Sequence, residues 1–217
     1  MNRETPLRDL FLLRDDQVFL NHGSFGACPR PVHRRYQALQ CELEANPVAF
    51  LAEDREFPAR LREARQRLAR FVGAGRDDLV FVPNTTMGLN VVARAVRLDP
   101  DDEVVITDHA YGAVVRIWTF VTERRRARLV RAPVDLPVES SDQVVEEIWS
   151  RVTDRTRVLC LDHISSATAL VFPIRELIRR ARRAGVLVVI DGAHAPGHVP
   201  LDLEELGADV YVGNGHK

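Results

Sequence analysis

From Asp78 to the end of the chain, short apolar runs alternate with segments whose apolar positions recur every three or four residues. The runs at 79–82, 104–107, 129–133, 158–162, 186–190 and 210–212 predict strands, and they are too uniformly apolar to leave one face in water. Between them, 85–97 places Leu89, Val92, Ala93 and Val96 on one side, and 111–122 follows as a second helical stretch. Segment 141–152 turns Val144, Val145, Ile148, Trp149 and Val152 inward, and 173–184 does the same with Ile174, Leu177, Ile178 and Ala181. That spacing predicts helices. Alternation of this kind buries both faces of a mostly parallel sheet, so the expected fold is a three-layer α/β/α arrangement. Ligands of such sheets gather at the carboxyl ends of the strands.

Residues 1–75 read differently and form an N-terminal segment, set apart from an α/β unit over 76–217. A polar loop, Asn21-His22-Gly23-Ser24-Phe25-Gly26, is followed by two helical stretches. The first, 31–45, opens on Pro31, a favoured first-turn residue. The second, 58–72, puts Leu61, Ala64, Leu68 and Phe71 on one face, with Gly73 as its stop.

Composition narrows the classes. A hydrophobic fraction of 46% with 28% charged residues is an ordinary globular balance over 217 residues. A net charge of −1 gives no support for nucleic acid or an anionic membrane as a partner. The arginine clusters at 124–126 and 179–183 lie on or beside helical patterns and read as solvated faces. No segment approaches a membrane span, and the charged N-terminus lacks a signal-peptide core. Cys28, Cys41 and Cys160 are scattered and odd in number, which suits free thiols in a reducing cytoplasm. Cys28, after a glycine-containing loop, is either a reactive thiol or a small packing residue.

The sequence has a single lysine, Lys217, at the end of Gly213-Asn214-Gly215-His216-Lys217. Upstream, the apolar run 186–190 ends in Asp191-Gly192-Ala193-His194. A carboxylate on a strand tip and one downstream amine are the two groups needed to hold and activate pyridoxal phosphate. The carboxylate pairs with a protonated ring nitrogen, and the amine forms a Schiff base with the aldehyde. An unpartnered buried carboxylate is costly, and a pyridinium would offset that cost. Asp-Gly after a strand is also ordinary turn chemistry, so Asp191 gains its meaning from Lys217.

Other strand ends carry suitable groups. Asn84-Thr85-Thr86-Met87 joins a strand to a helix, where free N–H groups and hydroxyls attract phosphate; the alternative is a plain N-cap. Asp108-His109-Ala110-Tyr111 offers an imidazole or a phenol to stack on a pyridine face, or an ordinary loop. Ser165-Ser166-Ala167-Thr168 offers hydroxyls, or a capping loop. His194, His198 and Asp191 do not read as a metal site, because Pro196 and Gly197 break the helical i, i+4 geometry. Dinucleotide, P-loop and nucleophile-elbow motifs are absent from the sequence.

These motifs, in this order, resemble the isopenicillin-N epimerase-like group of the class-V aminotransferase family, a branch of the fold-type-I pyridoxal-phosphate enzymes. The likeness rests on Leu20-Asn21-His22-Gly23-Ser24-Phe25-Gly26, Asn46-Pro47…Phe50, Asn84-Thr85-Thr86…Asn90, Asp108-His109-Ala110-Tyr111, Asp191-Gly192-Ala193-His194 and Gly213-Asn214-Gly215-His216-Lys217. The resemblance implies that Lys217 carries the coenzyme and moves the α-proton, and that Asp191 holds the pyridine nitrogen. It places His194 near the phenolic oxygen. It assigns Thr85, Thr86, the Met87 amide and His216 to the phosphate, and Ser166 to the ring. His109 would stack over the ring and serve the chemistry, with Tyr111 as its competitor; Asn21, His22 and Ser24 would border the substrate. It implies a cytoplasmic homodimer acting on an amino acid or derivative, as an epimerase or a C–S lyase or desulfurase. Relatives continue past the lysine into a small domain that supplies a substrate-gripping Arg. On that basis 76–217 is an incomplete large domain, with an inactive remnant or interaction module as the alternative.

Overall fold

The computed structural model describes residues 7–52 and 54–217. Residues 1–6, part of the charged N-terminus, and residue 53 lie outside the described residues. After a single 3-10 turn, three helices lead in: α1 (Arg30–Ala45), α2 (Pro47–Leu51) and α3 (Glu56–Val72). The alternating part then runs α4 (Thr85–Ala95), β1 (Glu103–Thr107), α5 (Gly112–Arg125), β2 (Arg128–Ala132), α6 (Ser141–Trp149), β3 (Thr156–Asp162), α7 (Ile174–Ala184), β4 (Leu187–Gly192), α8 (Leu203–Leu206) and β5 (Val210–Gly213).

The five strands form one sheet in the order β2-β1-β3-β4-β5, and every neighbouring pair is parallel. Apolar residues alternate between its two faces. Val105, Leu159, Leu161, Val188 and Ile190 pack under α6 and α7 with Val144, Ile148, Leu177 and Ile178. Val104, Ile106, Val158, Cys160 and Val189 pack under α4 and α5 with Leu89, Ala93, Ile117 and Trp118. The fold is therefore the expected three-layer α/β/α, with both sheet faces dry.

Three expectations need correction. The apolar run at 79–82 is extended but joins no strand, and Val80 and Phe81 are exposed. It has strand chemistry without a neighbour to complete a ladder. In α3, Leu61, Ala64 and Phe71 are exposed, while Ala69 and Val72 are the buried residues. Its apolar stripe lacks a surface to cover it among the described residues, because α3 packs chiefly on α2 rather than on the sheet. Two short helices, α2 and α8, were not anticipated. Asn46 starts α2 by accepting the Ala49 N–H, and Asp202 starts α8 by accepting the Glu205 N–H. Gly73 does end α3, in the left-handed conformation at φ 62°.

Candidate active site

The carboxyl ends of β3, β4 and β5, the start of α4 and the loop before α1 enclose a cavity of about 740 Å³. β4 delivers Asp191 to its floor. Val189 points into the core under α4, Ile190 into the opposite core, and Asp191 back to the α4 side at the strand's end. The carboxylate is 5% exposed and accepts the Ala193 N–H at 2.9 Å. Burial pushes its pKa up, opposed by that hydrogen bond and by the charge on Lys217.

Lys217 lies across the cavity with Nζ 3.4 Å from His194 Nε2. Burial pushes the His194 pKa down, helped by the positive charges of Lys217 and His198. A neutral imidazole accepts the hydrogen bond that the Lys217 ammonium donates. The loop carrying Gly23 lies against the same ring: a Cβ there would sit 3.3 Å from His194 Nδ1. A side chain at Gly26 would run into the His216 carbonyl, so only glycine lets this loop close over the residues before Lys217.

The first turn of α4 forms the opposite wall. Asn84 caps it by accepting the Met87 N–H at 2.9 Å, and Asn214, just past β5, accepts the Thr85 N–H at 3.0 Å. Thr86, between them, has no such acceptor among the described residues. Thr85 Oγ1 is buried without a hydrogen-bond partner. An orphaned hydroxyl at the positive end of an eleven-residue helix suits an anion such as a phosphate.

The structure brings together most of the residues singled out by sequence. Asn21, Ser24, Thr85, Thr86, Tyr111, Ser166, Asp191, His194, His216 and Lys217 line the cavity. Three do not. His109 donates its Nε2–H to the Val134 carbonyl (2.9 Å), its Nδ1 lies 3.3 Å from Thr168 Oγ1, and its ring stands edge-on to Phe172. Tyr111 is the member of that pair facing the cavity. Met87 is exposed, and its N–H is committed to Asn84. His22 accepts the Ala27 N–H at 3.3 Å and packs between Phe11 and Phe19, where it shapes the loop rather than the cavity wall.

Sequence reasoning missed two lining residues with clear signals. Asn214 lies within Gly213-Asn214-Gly215-His216-Lys217, but its tie to the α4 N-terminus spans 129 positions and is set by the fold. Asp162 ends an apolar run just as Asp191 does, and that shared pattern was available from sequence.

Comparison with known proteins decides the family. The aminotransferase class-V family model matches residues 19–217. The chain belongs to that family. It is 41% identical over 202 residues to an isopenicillin N epimerase of Amycolatopsis lactamdurans, covering 91% of this chain and 50% of that protein. A second isopenicillin N epimerase, from Streptomyces clavuligerus, is 36% identical over 212 residues, covering 97% and 52%. The cysteine desulfurase CsdA from Escherichia coli superposes with a TM-score of 0.82 at 26% identity, covering 96% and 53%. A C-DES mutant solved with glycine covalently linked to its PLP cofactor gives a TM-score of 0.87 at 24% identity, covering 98% and 56%, a likeness of fold. The chain spans about half the length of the curated relatives it matches. Class-V aminotransferases are pyridoxal-phosphate enzymes. Among the described residues, no helix is long and apolar enough to cross a membrane.

Proposed function

We propose that this cavity holds pyridoxal phosphate and that the protein acts on an amino acid or a derivative through a covalent link at Lys217 and movement of the α-proton. One observation carries the reading: the only lysine, a buried carboxylate and an unfilled helix N-terminus surround one cavity. The donor set fits the coenzyme at three points. Asp191 would hold the ring N–H, Thr85 Oγ1 and the Thr86 N–H would hold the phosphate, and Tyr111 would face the ring.

The coenzyme supplies an aldehyde that condenses with amines and a ring that accepts electrons from the substrate's α-carbon. The chain's own residues do the rest. Asp191, its ionised form disfavoured by burial, gains a cationic partner that favours that form. Lys217 Nζ would carry the covalent link to the coenzyme, and its amine stands where it would take or return a proton at the substrate's α-carbon. His194, kept neutral beside it, holds the amine in place through its 3.4 Å contact. The Asn21–Ser24 loop lies where it can border a substrate and exclude water.

The epimerase relative at 41% identity supports epimerase-type chemistry, and cysteine desulfurase relatives at 36% and 35% identity support C–S cleavage as the second reading. The exposed apolar stripe with Leu61 and Phe71 supports the homodimer reading. Free cysteines support a reducing, cytoplasmic setting. The domain reading is an N-terminal segment over 1–75 that borders the substrate pocket and a coenzyme-binding large domain over 76–217; residues of both parts line the cavity.

The test is direct. Purified protein given pyridoxal phosphate is expected to show a visible absorption band that borohydride removes, with the reduced coenzyme mapping to Lys217. A label on another residue, or no label, contradicts the reading. The second outcome would favour a non-catalytic relative that keeps only the fold.

A further inference from the structure

Asp191 is not alone on the floor of the cavity. Asp162 ends β3 in register with Asp191 on β4, and adjacent strands of a sheet lie about 4.8 Å apart. Register-paired residues on parallel strands point to the same face, here the side covered by α4 and α5 that also receives Cys160 and Val189. Both carboxyls are buried, at 4% and 5% exposure, and both line the same cavity. Two buried carboxylates so placed cannot both ionise without a large cost.

We propose that Asp162 and Asp191 form a proton-sharing pair in which Asp162 is the neutral, positioning member and Asp191 carries the single negative charge of the site. The assignment rests on the coenzyme reading for its purpose: a pair of net charge −1 matches one cationic ring N–H. It does not rest on that reading for its protonation. The proton stays on Asp162 when Asp191 meets its cationic partner.

The surroundings leave Asp162 as the group that keeps the proton. On β4 its charged neighbour is Asp191, and on β3 the same face carries the Cys160 thiol, itself pushed up by burial. From the end of β1, Asp108 accepts the Val134 N–H and His109 is tied to the Val134 carbonyl. α4 brings the hydroxyls of Thr85 and Thr86, and the β5 end brings Asn214. Lys217, His194, His198 and His216 stand on the cavity wall; the charge on Lys217 acts on Asp191. Burial, reinforced by the Asp191 charge, pushes the Asp162 carboxyl up to about 8.

The sign of the stability effect follows. A carboxyl whose folded pKa is raised binds its proton more tightly when folded, so stability is lost as pH rises from the unfolded value of 3.8 toward about 8. Infrared spectra of the coenzyme-free protein are expected to show a neutral carboxyl at pH 7 that titrates with a midpoint near 8. The band is expected to vanish in Asp162→Asn. In Asp191→Asn its midpoint is expected to fall by about one unit or more, because the like charge is gone. Thermal unfolding followed over the same range should fall less steeply with pH in Asp162→Asn than in the wild type. Asp162→Ser serves if the Asn variant does not fold. A wild type with no neutral carboxyl at pH 7 overturns the proposal. So does a band that survives in the Asp162 variants, or a midpoint unmoved in Asp191→Asn. A coenzyme that fails to label Lys217 while the pair titrates as described would sink the coenzyme reading and leave the pair standing.

Discussion

The two ends of the sheet treat buried acid in opposite ways. At the amino ends of the strands, Glu103 is 5% exposed and Asp102 8%. Glu103 lies 3.4 Å from Arg128 and 3.5 Å from Arg155 and accepts the Thr153 hydroxyl at 2.5 Å; Asp102 lies 3.0 Å from Arg157 and accepts the Asp99 N–H. At the carboxyl ends, Asp162 and Asp191 are buried as deeply and have no guanidinium partner among the described residues. The first end is satisfied structure. The second leaves two buried carboxyls without such partners, beside an unpaired hydroxyl and an amine, and burial raises the pKa of both.

Substitutions at the two ends should therefore differ in size and in sign. The largest effect is expected from Glu103→Ala, which strips two arginines and a threonine hydroxyl of their acceptor. Chemical denaturation should show a loss of about 2–3 kcal/mol. At the site end, Asn84→Ala removes the α4 cap, with an expected cost of about 1 kcal/mol. The smallest change, and the one of opposite sign, is expected from Asp191→Asn. In the coenzyme-free protein at pH 8 it removes the burden of burying an ion, since a raised carboxyl pKa costs stability above the unfolded value. Its unfolding midpoint should rise or stay level. A fall comparable to that of Glu103→Ala would erase the distinction between the two ends.

Much of this was legible in the sequence, and the parts that were not share a cause. The runs that became β1, β3 and β4 could be read because helices bury them on both faces, and the edge strands β2 and β5, only partly buried, still carry enough apolar residues to show. The run at 79–82 has the same composition but no strand beside it, so composition alone misled. The stripe on α3 has helical spacing, yet Leu61 and Phe71 stay exposed because no described element covers them. Local pattern reports what a segment can bury, not whether a partner is there.

The site divides along the same line. Asp191, Lys217 and the α4 first turn were readable because strand tips and helix starts are positions that sequence can place. The places of His109 and Tyr111 were not, since the hydrogen bond from His109 to the Val134 carbonyl 25 positions away turns that ring from the cavity lined by Tyr111. Nor does the loop motif show that the His22 ring packs against Phe11 and Phe19.

In the proposed orientation the coenzyme lies with its ring nitrogen on β4 and its phosphate on α4. A crystal structure of the protein with pyridoxal phosphate tests it most directly. The ring nitrogen is expected within hydrogen-bonding distance of an Asp191 carboxylate oxygen, and the phosphate at Thr85 and Thr86. A coenzyme with its nitrogen turned away from Asp191, or its phosphate held elsewhere, would contradict it.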